Sequence, residues 1–479
     1  MPAFRPVVFI GGILVLVLAA TMAIPALVEF ALGADHAHEY LACVAVPAFL
    51  GITALLAARG GPLKLGLREA YLLTSGLWFV LPLVASLPFM WTLPNLSLTD
   101  AYFEAASGLT TTGSTVIVGL DDLPPGILLW RSMLQWVGGI GIVMMAVAVL
   151  PLLRVGGMQL MSRESSDTSD KILARPRELA TWLLSVYLGL TVLCAVSYGV
   201  AGMNGFDAIN HAMTTVSTAG FSTRDSSLGG FSPAAQWVAI VFMLVGAAPF
   251  LLYVQLARGT SGFVPWSQIP PMLGVVAIAG GILAYTAMQS GHGILDAIRH
   301  GLFTVTSIIT TTGFASHDWQ TWGPLATALA LVLSYCGGCT GSTTGGVKIF
   351  RWQVLIRRFR ITVQELIRPH RVVSQVYQGR TVGPEVVQGV MGFVLLMGGT
   401  TAVATVALAA TGLDLVTAFS SAATAITNVG PALGTIAGPA GTFEPLPDTA
   451  KWILSVAMLL GRLELLTVLV MLDPDFWRR

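Results

Sequence analysis

Charge is scarce in this sequence. Lysine, arginine, aspartate and glutamate together make up 10% of its 479 residues, where a soluble domain carries about 25%, so a water-soluble globular chain is excluded. Cysteine is rarer, with four in all. Cys43 and Cys194 stand alone in apolar runs and exclude a disulfide framework. Cys336 and Cys339 make one C-x-x-C with glycine flanks and no second pair, which fits small-residue packing better than a metal or redox site. The seven histidines have no metal-ligand spacing. No H-E-x-x-H string, nucleophile–base pair or dinucleotide fingerprint occurs, which argues against an enzyme and against an organic cofactor on this chain. A net charge of +1 offers no footprint for nucleic acid.

Apolar residues are what the chain has, at 54% of the total and a mean hydropathy of +0.77. Runs able to cross a hydrocarbon core of about 30 Å recur along its whole length, and roughly ten full spans fit. The first, "VVFIGGILVLVLAATMAIPALV" from Val7 to Val28, is longer than the roughly 7 to 15 apolar residues of a signal peptide and reads as a retained helix. Laying the spans end to end from Arg5 places most of the basic residues on one side. These include Arg59, Lys64, Arg68, Arg154, Arg163, Lys171, Arg175, Arg177, Arg258 and the run from Lys348 to Arg380. Only Arg131, Arg224, Arg299 and Lys451 fall on the other. The asymmetry orients the protein with both termini cytoplasmic.

One plan recurs four times. "TDAYFEAASGLTTTGSTV" (99–116) is echoed by "FDAINHAMTTVSTAGFST" (206–223), "LDAIRHGLFTVTSIITTTGFAS" (295–316) and "LDLVTAFSSAATAITNVGPALG" (413–434). Each copy carries an aspartate near its start, Asp100, Asp207, Asp296 or Asp414, read as a helix N-cap. Each runs through a segment too short to span and ends at Gly113, Gly220, Gly313 or Gly430. Full apolar spans flank every copy. The spans that follow open with Trp130, Trp237, Trp322 and Trp452, read as an interfacial belt. The fold class is therefore an all-α membrane protein: two N-terminal helices plus four helix, re-entrant pore loop, helix repeats around a central pore. The expected bounds are 1–66 for the extra helices and 67–160, 161–265, 266–380 and 381–479 for the four repeats.

Non-helical backbone at membrane depth must be buried in protein or line water, and four such loops satisfy this by facing one axis. Glycine turns its carbonyls freely and threonine hydroxyls add oxygens, so the ring offers a dehydrated monovalent cation a substitute for its water shell. The candidate ring residues are Thr111, Thr112 and Gly113; Thr218, Ala219 and Gly220; Thr311, Thr312 and Gly313; Asn428, Val429 and Gly430. The second and fourth copies depart from Thr-Thr-Gly. In the third following span, Gly337, Gly338, Gly341, Gly345 and Gly346 penalise a helix by roughly 1 kcal/mol each, so a break is predicted. The stretch Gly337, Gly338, Cys339, Thr340, Gly341, Ser342, Thr343, Thr344, Gly345 and Gly346 is the candidate gating loop. It is not a nucleotide P-loop, because Val347 separates Gly346 from Lys348 and Ile349 replaces the required Ser or Thr. Arg462 and Glu464 fall near the middle of the fourth following span. A guanidinium about 6 Å from a passing cation repels it by roughly 3 kcal/mol at an effective dielectric near 20, so Arg462 reads as a charge barrier. Arg131, with Gln135 a turn on, either braces the ring or snorkels to the interface.

The four copies, "LQWVGGIGIVMMAVAVLP" (134–151) followed by "GGMQL", "GGCTGSTTGG" and "GRLELLT" (461–467) together resemble the Trk/Ktr/HKT superfamily of potassium transporters, nearest its TrkH-type bacterial membrane subunits. The resemblance covers essentially the whole chain. It implies potassium as the transported ion, a potassium-selective filter at the four glycines and their preceding residues, an intramembrane gate at 337–346 and a pore arginine at Arg462. It also implies a homodimer in the bacterial inner membrane, gated by a separate cytosolic TrkA-type nucleotide-binding subunit. The arginine-rich segment 348–380 is the natural docking surface. Relatives that admit sodium carry serine at the first filter glycine, and Gly113 is glycine here. Thr344 stands where the family pattern suggests another glycine. The alternative function is potassium symport coupled to sodium or protons.

Overall fold

The computed structural model describes residues 4–33, 37–60, 66–145, 176–259 and 266–478, apart from 371, 372, 374 and 379. Lys64, Arg154, Arg163, Lys171, Arg175, Arg371 and the expected boundary after residue 160 lie outside the described residues. Apart from a two-residue hairpin of β1 (Val376–Tyr377) and β2 (Arg380–Thr381), the regular structure described is helical. The chain opens with α1 (Phe4–Leu32) and α2 (Ala37–Ala57), which pack on each other as a hairpin. Both are apolar nearly all round, and α1 contains Pro25, a residue that membrane helices tolerate in their interior.

Four units follow. In the first, α3 (Leu67–Ala85) and the short α4 (Leu87–Thr92) lead to α5 (Leu98–Leu109) and α6 (Pro125–Met144). The second comprises α7 (Pro176–Val200), α8 (Gly205–Val216), α9 (Pro233–Ala247) and α10 (Phe250–Arg258). The third comprises α11 (Ile269–Gln289), α12 (Ile294–Ile309), α13 (Pro324–Leu333) and α14 (Ile349–Ile367). The fourth comprises α15 (Pro384–Ala409), α16 (Leu415–Thr427), α17 (Gly434–Ala437), α18 (Asp448–Arg462), α19 (Leu466–Leu472) and α20 (Pro474–Arg478). In each unit the long first helix packs against the short one: α3 on α5, α7 on α8, α11 on α12 and α15 on α16. Contacts between units run α6 to α8, α9 to α12 and α18 to α5, so the fourth unit closes back on the first.

The roughly ten expected spans resolve, among the described residues, into seven long apolar helices, two bent pairs and the ten-residue α13. The bends are findings. Helix α9 turns 87° into α10, and α18 turns 107° into α19. The first bend falls at Ala248 and Pro249, where proline has no amide to continue the ladder. The second follows Arg462, with Glu464 at φ 57° and Leu465 at φ 24°. The predicted break after α13 is present, with no helix between Leu333 and Ile349. The tryptophan belt needs correction. Trp237 and Trp452 are exposed, but Trp130 and Trp322 are buried, and the Trp130 indole donates to the Ala85 carbonyl. These two are packing residues of the core.

Candidate ion-conducting site

The site begins with the four short helices and the way they end. At their starts, the aspartate caps predicted from sequence are only partly right. Asp414 caps α16, accepting from the amides of Val416 and Thr417. In α5 and α8 the caps are Ser97 and Asn204, which accept from the amides of Asp100 and Asp207. Asp100 and Asp207 thus take the third helical position, and their carboxylates accept back from Ser97 Oγ and Asn204 Nδ2. The pairing is reciprocal like a capping box, except that the carboxylate takes the cap's side chain and not its backbone amide, and it leaves the other carboxylate oxygen for a neighbour. Asp296 sits likewise one turn inside α12, behind Gly293.

At their other ends all four helices stop in the same way. The amides of Thr112, Ala219, Thr312 and Val429 each donate to the carbonyl five residues back, those of Ser107, Thr214, Ser307 and Thr424, at 2.8 to 2.9 Å. The preceding amides, of Thr111, Thr218, Thr311 and Asn428, donate three residues back. This pair of bonds is the Schellman motif, whose pivot residue needs a left-handed backbone and is usually glycine. Here the pivots are Thr111, Thr218, Thr311 and Asn428, with φ of 53°, 50°, 52° and 56°. A threonine held there stores about 1 to 3 kcal/mol of strain, a cost met by over-determined surroundings and concentrated at functional sites. Two residues on, Gly113, Gly220, Gly313 and Gly430 have φ of 85°, 87°, 82° and 98°.

The four hairpins meet. A Cβ built on Gly113 would overlap the Ala219 carbonyl oxygen, one on Gly220 that of Thr312, one on Gly313 that of Val429, and one on Gly430 that of Thr112. Following these contacts from hairpin to hairpin returns to the start, so the glycines close a ring in chain order. Only a residue without a side chain permits this approach. Asn428 Nδ2 donates to Thr112 Oγ1 at 2.9 Å, and Ser114 Oγ to the Gly430 carbonyl at 3.1 Å, tying the last hairpin to the first. Most of the threonine hydroxyls expected as extra oxygens are committed elsewhere. Thr112 and Thr312 pair with Thr110 and Thr310 at 2.7 Å, and Thr218 and Thr311 bond the 337–346 loop. Thr111 Oγ1 is buried with no partner among the described residues.

Between the first two units, Arg131 braces the ring. It is 1% exposed and pairs with Glu104, itself 0% exposed, at 2.8 Å. Its Nη1 donates to the Ser222 carbonyl at 2.9 Å, its Nη2 to Thr115 Oγ1 at 3.1 Å, and its plane lies 4.2 Å over the Phe221 ring. One turn on, Gln135 Nε2 donates to the Ala219 carbonyl at 2.7 Å while Gln135 Oε1 accepts from the Phe221 amide at 3.0 Å. The snorkelling alternative for Arg131 is therefore wrong. Glu104 was missed from sequence because a carboxylate on a short helix gives no signal until its partner is known. Glu29 of α1 was missed too; it is buried and accepts from the Gly126 amide at the start of α6. Other seams are neutral or mixed. Gln320 bonds both the amide and the carbonyl of Gly434, and Lys451 pairs with Asp100 at 2.6 Å.

Residues 337–346 cross beside the ring. Gly345 N donates to Thr311 Oγ1 at 2.7 Å, Thr218 Oγ1 meets Thr343 Oγ1 at 2.9 Å, and a Cβ on Gly345 would overlap the Thr427 carbonyl. The loop thus touches three of the four hairpins. It is also tied to the break in the second unit, where the Cys339 amide donates to the Ala247 carbonyl and the Phe250 amide to that of Gly341. Gly341 and Gly346 have φ of 78° and 64°. Thr344, the departure from an all-glycine pattern, is a fastener. Its Oγ1 accepts from the Gly338 amide, pairs with Ser342 Oγ at 2.8 Å and accepts from Lys348 Nζ. Thr340 takes Gln268 as its amide's acceptor at 2.8 Å. Cys336 and Cys339 are free thiols. Arg462 does not pair with Glu464; its Nη2 donates to the Thr343 carbonyl at 2.7 Å. Glu464 is taken by Arg351 at 2.6 Å, and that guanidinium also covers the Phe393 ring at 3.8 Å.

Comparison with known proteins agrees with this architecture. A family model described as TrkH, cation transport protein, matches residues 38–267 and 288–477. The chain is 41% identical to the Trk system potassium uptake protein TrkI of Halomonas elongata, over 99% of this chain and 97% of that one. It is 38% identical to the Trk system potassium uptake protein TrkH of Escherichia coli K12, over 99% of each. The crystal structure of the potassium transporter TrkH from Vibrio parahaemolyticus superposes with a TM-score of 0.90 at 37% identity, covering 100% of both chains. A helical membrane fold with these matches along nearly its whole length places the chain in the TrkH family of cation transport proteins.

Proposed function

We propose that this chain carries potassium across the bacterial inner membrane along the axis of the glycine ring, with potassium as cargo and not as a resident cofactor. The observation that supports this most is the closure of the ring. Four backbone hairpins with matched left-handed pivots abut one another in cyclic order, and four short helices end there. Their negative C-terminal ends favour a cation and their carbonyls replace its hydration. The filter comprises Thr111–Gly113, Thr218–Gly220, Thr311–Gly313 and Asn428–Gly430. The choice of potassium rests on the names of the relatives and on glycine at position 113.

In this reading the loop 337–346 is the gate, caught in a closed arrangement by Thr218, Thr311 and Arg462, and Arg462 is the charge barrier below the filter. The protein is a homodimer with cytoplasmic termini. A cytosolic TrkA-type nucleotide-binding subunit docks on the face of α14 that exposes Arg357, Arg360 and Arg368 and acts on the loop directly before it. Coupled symport has less behind it, because Glu464 and Glu104 are held in ion pairs with Arg351 and Arg131 and the buried Glu29 of α1 is bonded to the Gly126 amide. The decisive experiment is growth on low potassium of a bacterium lacking its own uptake systems. Expression of this chain with its matching cytosolic subunit restores growth; absence of rescue despite verified membrane insertion would overturn the proposal.

A further inference from the structure

Beside the gating loop lies a cavity of about 40 Å³ whose lining includes Ser342, Lys348, Arg351, Asn428, Arg462 and Glu464. Three cationic side chains face it and one carboxylate. Arg351 and Glu464 neutralise each other at 2.6 Å. That leaves Lys348 and Arg462 with only neutral hydrogen-bond partners among the described residues, although Lys348 also feels the charge of Glu464. Lys348 Nζ donates to the carbonyl and hydroxyl of Thr344, and Arg462 Nη2 to the Thr343 carbonyl. Arg462 is 5% exposed, yet its Nε and Nη1 have no hydrogen-bond partner among the described residues. Buried donors on a charged group left unmade are costly, and two like charges sharing a cavity at membrane depth add to that cost.

We propose that this cavity binds a small monatomic anion of the halide class between Arg462 and Lys348. The charge argument sets the sign. A unit charge about 5 Å from an uncompensated guanidinium interacts by roughly 3 kcal/mol at an effective dielectric near 20, in favour of an anion and against a cation. Size sets the class. A single water needs roughly 10 to 15 Å³ of such space, so a cavity of about 40 Å³ has room for a chloride-sized ion beside a water and excludes a bulky organic anion. Asn428 Oδ1, buried on the same wall and without a partner among the described residues, is an acceptor for that water.

The consequence rests on the transport reading given above. The anion neutralises the repulsion between Lys348 and Arg462 while Arg462 holds Thr343, so it belongs to the closed arrangement; it also offsets the charge barrier of Arg462, so the fall in flux comes from the closed loop. A ligand that binds one arrangement only shifts the equilibrium by a factor of one plus its concentration over Kd, or about elevenfold at ten times Kd. Cytosolic halide therefore lowers cation flux.

Two measurements test the proposal, the first of them separately from transport. Crystals of the full-length protein grown in bromide give an anomalous peak in contact with the Arg462 guanidinium, and Arg462→Gln or, if that variant misfolds, Lys348→Met removes it. In proteoliposomes, rubidium flux is severalfold higher with gluconate than with chloride at the cytosolic face, and this difference vanishes in the same variants. Water density alone in the wild-type cavity, or a peak unchanged in a folded variant and hence an adventitious ion only, overturns the proposal. Flux insensitive to the anion overturns the regulatory consequence. A bromide peak in a protein that carries no rubidium at all would instead sink the transport reading and leave the anion site standing.

Discussion

Serine at position 113 is the sharpest perturbation of the ring. Gly113 has φ of 85°, where a side chain costs about 1 to 2 kcal/mol of backbone strain. Its new Cβ would also overlap the Ala219 carbonyl oxygen. That oxygen is not free to retreat, since Gln135 Nε2 holds it at 2.7 Å and the Phe221 amide holds the other end of the same amide group. Relief therefore comes at the ring, by turning one hairpin's carbonyls off the axis. If the strain appears as lost preference for the better-fitting ion, 1 to 2 kcal/mol corresponds to about a 5- to 30-fold fall in discrimination. The assay compares rubidium and sodium uptake into proteoliposomes containing wild type, Gly113→Ser and Gly119→Ser. Gly119 is the control: its φ is 72°, but a Cβ there meets nothing within 4 Å. The reasoning fails if Gly113→Ser discriminates within twofold of wild type, or if Gly119→Ser loses as much.

The remaining predictions concern the brace, the gate and the outer loops. Glu104→Gln leaves the Arg131 guanidinium buried without its counter-charge, so thermal unfolding in detergent moves down by an amount equivalent to about 3 to 5 kcal/mol, and an unchanged midpoint removes the brace from the account. Arg462→Ala and Thr344→Gly each release a fastener of the 337–346 loop, so rubidium flux without the cytosolic subunit rises severalfold; equal flux in both variants and wild type refutes the gate. His317, outside the membrane-spanning helices, stands at an exposed position, yet partial desolvation first and neighbouring His292 second hold it below the ordinary histidine range, an effect that solvent screening keeps small. Its folded-state pKa is depressed, so its contribution to stability is present above the unfolded value near 6.5 and is lost as pH falls below that. A thermal-shift series from pH 8 to 5 shows that decline, and His317→Gln flattens it; identical slopes count against the assignment.

The positions of the four hairpins were legible because glycine ends a short polar segment in a sequence that is otherwise apolar. The break between Leu333 and Ile349 was legible for a related reason, since five glycines within ten residues leave no helix. What stayed hidden was pairwise. Arg131 could brace or snorkel until Glu104 and Ser222 were seen around it, and Glu464 had no visible partner until the chain brought Arg351 to it from more than a hundred residues away. The bend after α9 had a signal in Pro249 that the hydropathy of the flanking segments masked. The bend after α18 has none; Glu464 and Leu465 take left-handed backbone without a glycine. Likewise, threonine at three Schellman pivots runs against local preference, and only the closure of the ring makes it understandable.

That closure also explains why the units match in backbone at the ring and differ in side chain. A bare alkali ion has no preferred direction, so the oxygens around it work best when each hairpin presents the same backbone, and the four helix ends are bonded identically despite reading Thr-Thr-Gly, Thr-Ala-Gly, Thr-Thr-Gly and Asn-Val-Gly. On the proposed reading the backbone does the coordinating, which leaves the side chains free to differ. An obstacle on a single axis, by contrast, needs to be built only once. The third unit supplies the loop, the fourth supplies Arg462 to hold it, the second bends at Pro249 to receive it, and the first supplies the Arg131 and Gln135 brace. On the proposed reading, selection demands repetition and gating does not, and a chain that fuses four copies in one polypeptide is free to let each copy diverge below the ring.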